Sequence, residues 1–201
     1  MDFSGHSQNL THIGARPDVI VECGGSSWDA HGAILTSRCR FFKALLDLEN
    51  GNEIRKVFIE GLDEYMVEYL LEYIYTGDYD WRKIQGNLTL TEAYMDAFDA
   101  ADYFLLPDLC KLSEAAFIEM LQTILPAFQY NRRPDATHLF EVVKQVYAWK
   151  DTPAGKAFRP IVAGAMHSVQ RGLNPAVFID LIEEIPQLAV DILKFTIQRR
   201  E

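Results

Sequence analysis

Two stretches of the chain carry apolar side chains at helical spacing. The first follows Asp63, a residue type that often caps helices, and its stripe comprises Met66, Tyr69, Leu70, Tyr73 and Ile74. Gly77 follows it as a helix stop. The second stripe comprises Tyr94, Ala97, Phe98, Ala101 and Leu105, and Pro107 ends it. Both spacings predict amphipathic helices that bury one face.

Short runs bounded by glycines predict strands in the first third of the chain. Residues 18–22 (DVIVE) and 26–30 (SSWDA) flank Gly24 and Gly25, which predicts a hairpin with the glycine pair as its turn. Residues 57–59 (VFI), ended by Gly61, predict a third strand. We expect these strands to form one small sheet.

The rest of the chain favours helices. Apolar positions in 33–48 predict one or two helices, with Thr36 and Ser37 able to cap the second. After Pro107 the predicted helices are 108–125, 135–149, 158–170, 175–184 and 187–199, with prolines close to several of their starts. Residues 1–16 are polar and predict a flexible leader. The fold class is therefore α+β, with a mixed first half and a helical second half.

Composition excludes several functional classes. The chain has 201 residues, is 49% hydrophobic and carries a formal net charge of -10, which disfavours nucleic-acid binding. It shows no signal-peptide pattern and no apolar run long enough for a membrane span. Its 3 cysteines are sparse and lack CxxC spacing, as is typical of a reducing compartment. We expect a cytoplasmic or nuclear protein that does not bind membranes.

Residues 23–39 (CGGSSWDAHGAILTSRC) crowd together residue types used in catalysis and metal binding. Cys23 and Cys39 are too far from His31 in sequence for a structural zinc site, which usually takes paired ligands two to four residues apart. The segment also lacks the lysine and glycine spacing of a phosphate-binding loop. We therefore predict no metal ligands and no cofactor.

Catalysis by this segment is a weaker hypothesis than a structural role for it. Both cysteines border apolar runs and are expected to be buried, inert thiols. The carboxylates elsewhere show no pairing as acid and base, so we predict no catalytic residues. A small thiol-dependent enzyme using Cys39 or Cys23 with His31 stays open as an alternative, because the residue types are present.

The order of residues in this segment resembles the BTB (POZ) domain family. That family's core motif is an Asp and an apolar strand, a glycine turn, an Ala/Val-His pair, and an apolar-Leu-x-x-x-Ser-x-x-Phe run. The matching residues are Asp18, Val19, Ile20, Val21, Gly24, Gly25, Trp28, Ala30, His31, Ala33, Ile34, Leu35, Ser37, Phe41, Phe42 and Leu45. Residues 57–59, 72–77 (EYIYTG) and 100–107 (AADYFLLP) resemble further blocks of the family.

The resemblance implies a domain organisation and a function. It implies a BTB domain at 17–106, after the leader at 1–16, and a helical extension at 107–201 similar to that of fungal members. It implies a protein that binds proteins and does no chemistry. The residues that match Asp18 and His31 are generally buried and structural in the family, beside the turn at Gly24 and Gly25.

Some family members act as substrate adaptors that bind a cullin-type ubiquitin-ligase scaffold, often through an apolar-x-Glu tripeptide. Here the nearest equivalent, Gly51-Asn52-Glu53, lacks the apolar residue, so a structural or transcription-linked scaffold without a cullin is the alternative. Homodimers in the family often use a helix ahead of the motif, and the polar leader predicts no such helix, although a homodimer stays possible. The candidate partner-binding residues are Leu46, Leu48, Glu53, Tyr75, Thr76, Tyr79 and Trp81.

Overall fold

The computed structural model describes residues 16–47, 54–80, 88–130, 135–149 and 151–198. The predicted leader, apart from Arg16, lies outside these ranges. The described part of the chain contains a three-stranded sheet followed by helices.

The sheet forms from the three segments that the sequence predicts. Its strands are β1 (Val19–Cys23), β2 (Ser26–Ala30) and β3 (Arg55–Ile59), in the order β2-β1-β3. β1 runs antiparallel to β2 with Cys23 opposite Ser26, and parallel to β3 with Val21 opposite Val57. The hairpin and its two-glycine turn are confirmed. Alternate side chains point into the core, since Val21, Trp28 and Val57 are all buried.

Two short helices follow the hairpin, α1 (Gly32–Arg38) and α2 (Arg40–Leu46). Cys39 separates them with an extended backbone, φ -133° and ψ 119°, and stands at the N-cap of α2. The predicted capping of the second helix by Thr36 and Ser37 is wrong. Both residues lie inside α1, and their hydroxyls donate to carbonyls one turn earlier in that helix.

Helix α3 (Glu64–Thr76) ends as predicted at Gly77, whose φ of 76° suits the left-handed C-cap. Its buried residues are Met66, Val67, Leu70, Leu71 and Ile74. The predicted stripe is therefore partly wrong, because Tyr69 and Tyr73 are only half-buried. Asp63 stands at the N-cap, but its side chain makes no capping hydrogen bond.

Helix α4 (Leu90–Tyr103) buries most of the second predicted stripe, including Phe98 and Ala101. Leu105 is the exception: it lies after the helix, has a positive φ of 56° and is 53% exposed. The left-handed turn there redirects the chain, so Phe104 and Leu106 are buried instead.

The later helices begin at proline or beside a capping residue. They are α5 (Pro107–Ile124), α6 (Pro126–Tyr130), α7 (Thr137–Ala148), α8 (Pro153–Val169), α9 (Pro175–Glu184) and α10 (Pro186–Gln198). The predicted start of α8 at 158 is wrong, because Thr152 caps the helix by accepting from the Gly155 amide at 3.0 Å. The short helix α6 was not predicted at all.

The chain divides into two compact units. The first comprises Met1–Asn87 and Ala100–Pro107, and the second comprises Leu88–Asp99 and Asp108–Glu201. Phe42 and Phe104 are fully buried in the first unit, with ring centroids 5.5 Å apart. Phe117 and Phe158 are fully buried in the second unit, with ring centroids 4.6 Å apart. The predicted domain boundary at 106/107 stays a prediction.

Candidate functional site

Asp18 joins three elements of the first unit. One carboxylate oxygen accepts from the Gly32 amide at 2.7 Å, and the other pairs with the Arg55 guanidinium at 2.8 Å. These contacts connect the start of β1 to α1 and β3. The expected burial of Asp18 is wrong, since its side chain is 53% exposed. An ionised carboxylate is costly to bury, and water can still hydrate it in this position.

His31 is buried, 5% exposed, as the family resemblance implies. Its backbone amide donates to the Tyr75 hydroxyl at 2.7 Å, and its Nδ1 lies 2.9 Å from the same oxygen. Burial raises the pKa of Tyr75, so the hydroxyl keeps its proton. These contacts join the start of α1 to the end of α3.

Arg38 reinforces the same junction. Its guanidinium donates to the carbonyls of Ile74 at 3.0 Å and Tyr75 at 2.9 Å. Carbonyls at a helix C-terminus lack intrahelical partners, and a cation there also interacts favourably with the helix dipole. The end of α1 therefore lies beside the end of α3.

Glu64 holds the hairpin turn against α3. One oxygen accepts from the Gly25 amide at 2.7 Å, and the Ser26 hydroxyl donates to the other. These hydrogen bonds lower the pKa of Glu64, with the Ser26 bond the larger cause. The sequence analysis missed Glu64. An acidic residue in the first turn of a helix is explained by its favourable interaction with the helix dipole, so nothing in the sequence indicates a contact with the hairpin turn.

Two of the candidate partner-binding residues are core residues instead. Leu46 is 3% exposed and Tyr79 is 8% exposed, so neither offers a surface to a partner. The Tyr79 hydroxyl lies 3.7 Å from the Met66 sulfur, and its ring meets Tyr73 edge-on. In α2 the helical turn directs Leu46 inward and leaves its neighbour Leu45 39% exposed.

The remaining candidates differ in position. Tyr75 is half-buried with its hydroxyl engaged by His31, whereas Thr76 is exposed at the end of α3. Leu48, Glu53 and Trp81 lie outside the described residues.

Sequence analysis also missed Phe58, which is 65% exposed on β3. The alternation of Val57, Phe58 and Ile59 in a strand was the signal for it.

The thiols show why nucleophilic chemistry is disfavoured. Cys23 is 3% exposed and donates to the Leu62 carbonyl at 3.3 Å; Cys39 is 1% exposed and donates to the Phe104 carbonyl at 3.2 Å. Burial raises the pKa of both thiols, so each is held in its unreactive protonated form.

The described ranges contain no group of three or more His, Cys, Asp or Glu side chains placed to hold a metal ion. Within the same ranges, no helix combines the length and apolarity needed to cross a membrane.

Comparison with known proteins identifies the class. The family model of the BTB/POZ domain matches residues 8–121, and the chain belongs to that family. BTB domains are protein–protein interaction modules and are not typically enzymes. The expected α+β BTB fold, followed by helices, is confirmed.

Solved structures of BTB domains resemble the chain at low identity. The BTB domain of zebrafish PATZ1 is 18% identical with a TM-score of 0.41, over 50% of this chain and 75% of that one. The BTB domain of human gigaxonin is 23% identical with a TM-score of 0.39, over 48% and 73% respectively. No curated protein matches the chain.

Proposed function

We propose that this protein is a non-catalytic adaptor that recruits a cullin-type ubiquitin-ligase scaffold through the first unit, in the cytoplasm or nucleus. Membership of the BTB/POZ family supports the interaction role. The observation that carries the contact surface is Leu45, an apolar side chain left 39% exposed on α2 while Leu46 fills the core.

We include the end of α3 in the proposed surface. Arg38, the last residue of α1, donates to the last carbonyls of α3, and Thr76 is exposed there. A few anchor residues, surrounded by contacts that exclude water, carry most of the energy at protein interfaces. We name Leu45 and Thr76 the α2/α3 surface and assign Leu45 as its anchor.

The test is a binding titration against purified cullin scaffolds. Leu45→Asp places a charge on the anchor and is expected to weaken binding by about tenfold or more. Leu112→Asp is the matched control, because Leu112 is 45% exposed on α5 in the second unit. Wild-type protein that binds none of the scaffolds would overturn the proposal, as would equal losses in both variants.

A scaffold that never binds a cullin is the second candidate. Gly51-Asn52-Glu53 favours it, since the family resemblance associates cullin binding with an apolar residue at the first of these positions. Gly51→Ile discriminates the two functions. If the change creates cullin binding that the wild-type protein lacks, the scaffold function is supported and the adaptor proposal fails.

A further inference from the structure

Two adjoining cavities in the second unit share Arg159 and Gln187. The first has a volume of about 310 Å³ and is lined by side chains of α8 and α10. The second, of about 490 Å³, is bordered by Lys144 and Glu184, which pair with each other at 2.8 Å. The second cavity is lined by equal numbers of positive and negative side chains, Lys144 and Arg159 against Asp151 and Glu184, whereas the lining of the first is unbalanced.

The first cavity, which we name the basic cavity, has an excess of positive charge. Lys156, Arg159 and Lys194 line it, and Asp191 is its single carboxylate among the described lining residues. That carboxylate already accepts three hydrogen bonds, from Gln187 at 2.9 Å, Lys194 at 3.3 Å and Tyr147 at 3.1 Å. Within the described chain, Lys156 and Arg159 have no carboxylate partner.

Arg159 has unused donor capacity. Its Nη2 donates to the Trp149 carbonyl at 3.1 Å, and its guanidinium lies 5.6 Å from the centre of the Tyr147 ring. Its Nε is buried and has no hydrogen-bond partner in the described structure. A buried N–H without a partner is costly, and a guanidinium edge is well shaped to bind an oxyanion.

The neighbouring face of α10 is apolar and exposed. Val190 is 44% exposed, Leu193 63% and Ile197 61%, and their spacing places them on one side of the helix. Asp191 and Lys194 of the same helix line the basic cavity. A ligand that covers both the basic cavity and this apolar face needs an acidic group beside apolar side chains. A polypeptide meets this requirement, and a free inorganic anion does not.

We propose that the basic cavity binds an acidic segment of a partner protein. A carboxylate of that segment lies on Arg159, flanked by Lys156 and Lys194, and an apolar side chain next to it packs on Leu193. This site goes beyond the adaptor proposal, because it lies in the second unit and does not depend on a cullin.

The test is fluorescence anisotropy with the full chain and a fluorescein-labelled glutamate-rich peptide that carries one leucine. The wild-type protein is expected to bind this peptide. Its affinity for an analogue with glutamine in place of glutamate is expected to be lower by about tenfold or more. Arg159→Lys keeps the charge but removes Nε, and is expected to weaken binding by about tenfold. Lys156→Gln, at an exposed position, is expected to weaken binding by about two- to fivefold.

Lys111→Gln is the matched control, because it removes one charge from a side chain that is 74% exposed on α5, outside the cavity. Its binding is expected to equal that of the wild type. Equal losses in Lys111→Gln and Lys156→Gln would overturn the proposal, since attraction would then be unspecific. Full displacement of the peptide by an equal concentration of inorganic phosphate would overturn it too.

Discussion

The Tyr75 hydroxyl is the clearest polar contact that sequence analysis could not predict. The resemblance implied that His31 is buried, and this is confirmed at 5% exposure. It assigned Tyr75 to a partner surface, whereas the hydroxyl contacts His31. Residues 31 and 75 are far apart in the chain, and no local pattern predicts which side chain satisfies a buried amide.

Tyr75→Phe is expected to destabilise the protein. It leaves the His31 amide without its acceptor, which costs about 1–3 kcal/mol of unfolding free energy. Chemical denaturation measures the change. Tyr103→Phe is the control, because Tyr103 is 45% exposed and should change stability little. Equal stabilities of the two variants would show that the His31–Tyr75 contact is energetically unimportant.

The cysteines give a direct test of the enzyme alternative. Because burial raises the pKa of Cys23 and Cys39, both thiols should resist a thiol reagent until denaturant is added. Cys110 is only half-buried and should react first. Mass spectrometry of the labelled protein gives the order. Rapid labelling of Cys39 in the folded protein would revive the thiol-enzyme hypothesis.

At the scale of elements, the sequence predicts correctly those features that depend on local residue chemistry. The glycine turn, the three strands and the Gly77 stop are all confirmed. The errors fall where tertiary packing decides. Leu105 lies outside the helix because the backbone is left-handed there. In α3 the core residues are Val67 and Leu71 rather than Tyr69 and Tyr73.

Gly24→Ala should destabilise the hairpin more than Gly25→Ala. Gly24 has a φ of 57°, which costs a residue with a side chain about 1–2 kcal/mol, and its new Cβ would collide with the Glu64 carboxylate. A Cβ on Gly25 would lie 3.6 Å from the same carboxylate, an ordinary contact. Thermal unfolding of both variants measures the difference. If Gly25→Ala were the less stable variant, the turn geometry described above would be wrong.

Glu64 predicts a pH dependence of stability. Its pKa in the folded protein is lower than the ordinary 4.5, so its stabilising contribution is present above that pH and is lost as pH falls through the lowered pKa. The melting temperature of Glu64→Gln should therefore lie below that of wild type at neutral pH, and the gap should narrow in acid. Glu60→Gln, at an exposed position, is the control. A gap that stays constant with pH would contradict the hydrogen bonds to Gly25 and Ser26.

At the scale of the whole molecule, charge is distributed unevenly. Residues 1–107 carry 8 Lys and Arg against 18 Asp and Glu, whereas residues 108–201 carry 11 of each. The entire net charge of -10 therefore belongs to the first part of the chain. Such a part repels nucleic acid and favours partners with basic surfaces, while the neutral second part can still hold a locally basic cavity.

The sequence indicates the family, but the predicted boundary at 106/107 does not anticipate that Leu88–Asp99 groups with the second unit. The motif blocks indicate the family because they occur in the family's order along the first half of the chain, which makes a chance match improbable. The units divide within α4, where Asp99 falls in the second unit and Ala100 in the first. A continuous helix carries no break in its periodicity, so this division has no signal in the sequence.

One measurement tests most directly the proposal that this BTB protein is an adaptor whose α2/α3 surface recruits a cullin. Tagged wild-type protein, Leu45→Asp and Leu112→Asp are each used to isolate complexes from native extract, and cullins are quantified by mass spectrometry. We predict a cullin with the wild type and with Leu112→Asp, reduced by about tenfold or more with Leu45→Asp. Absence of every cullin from the wild-type complexes would contradict the account.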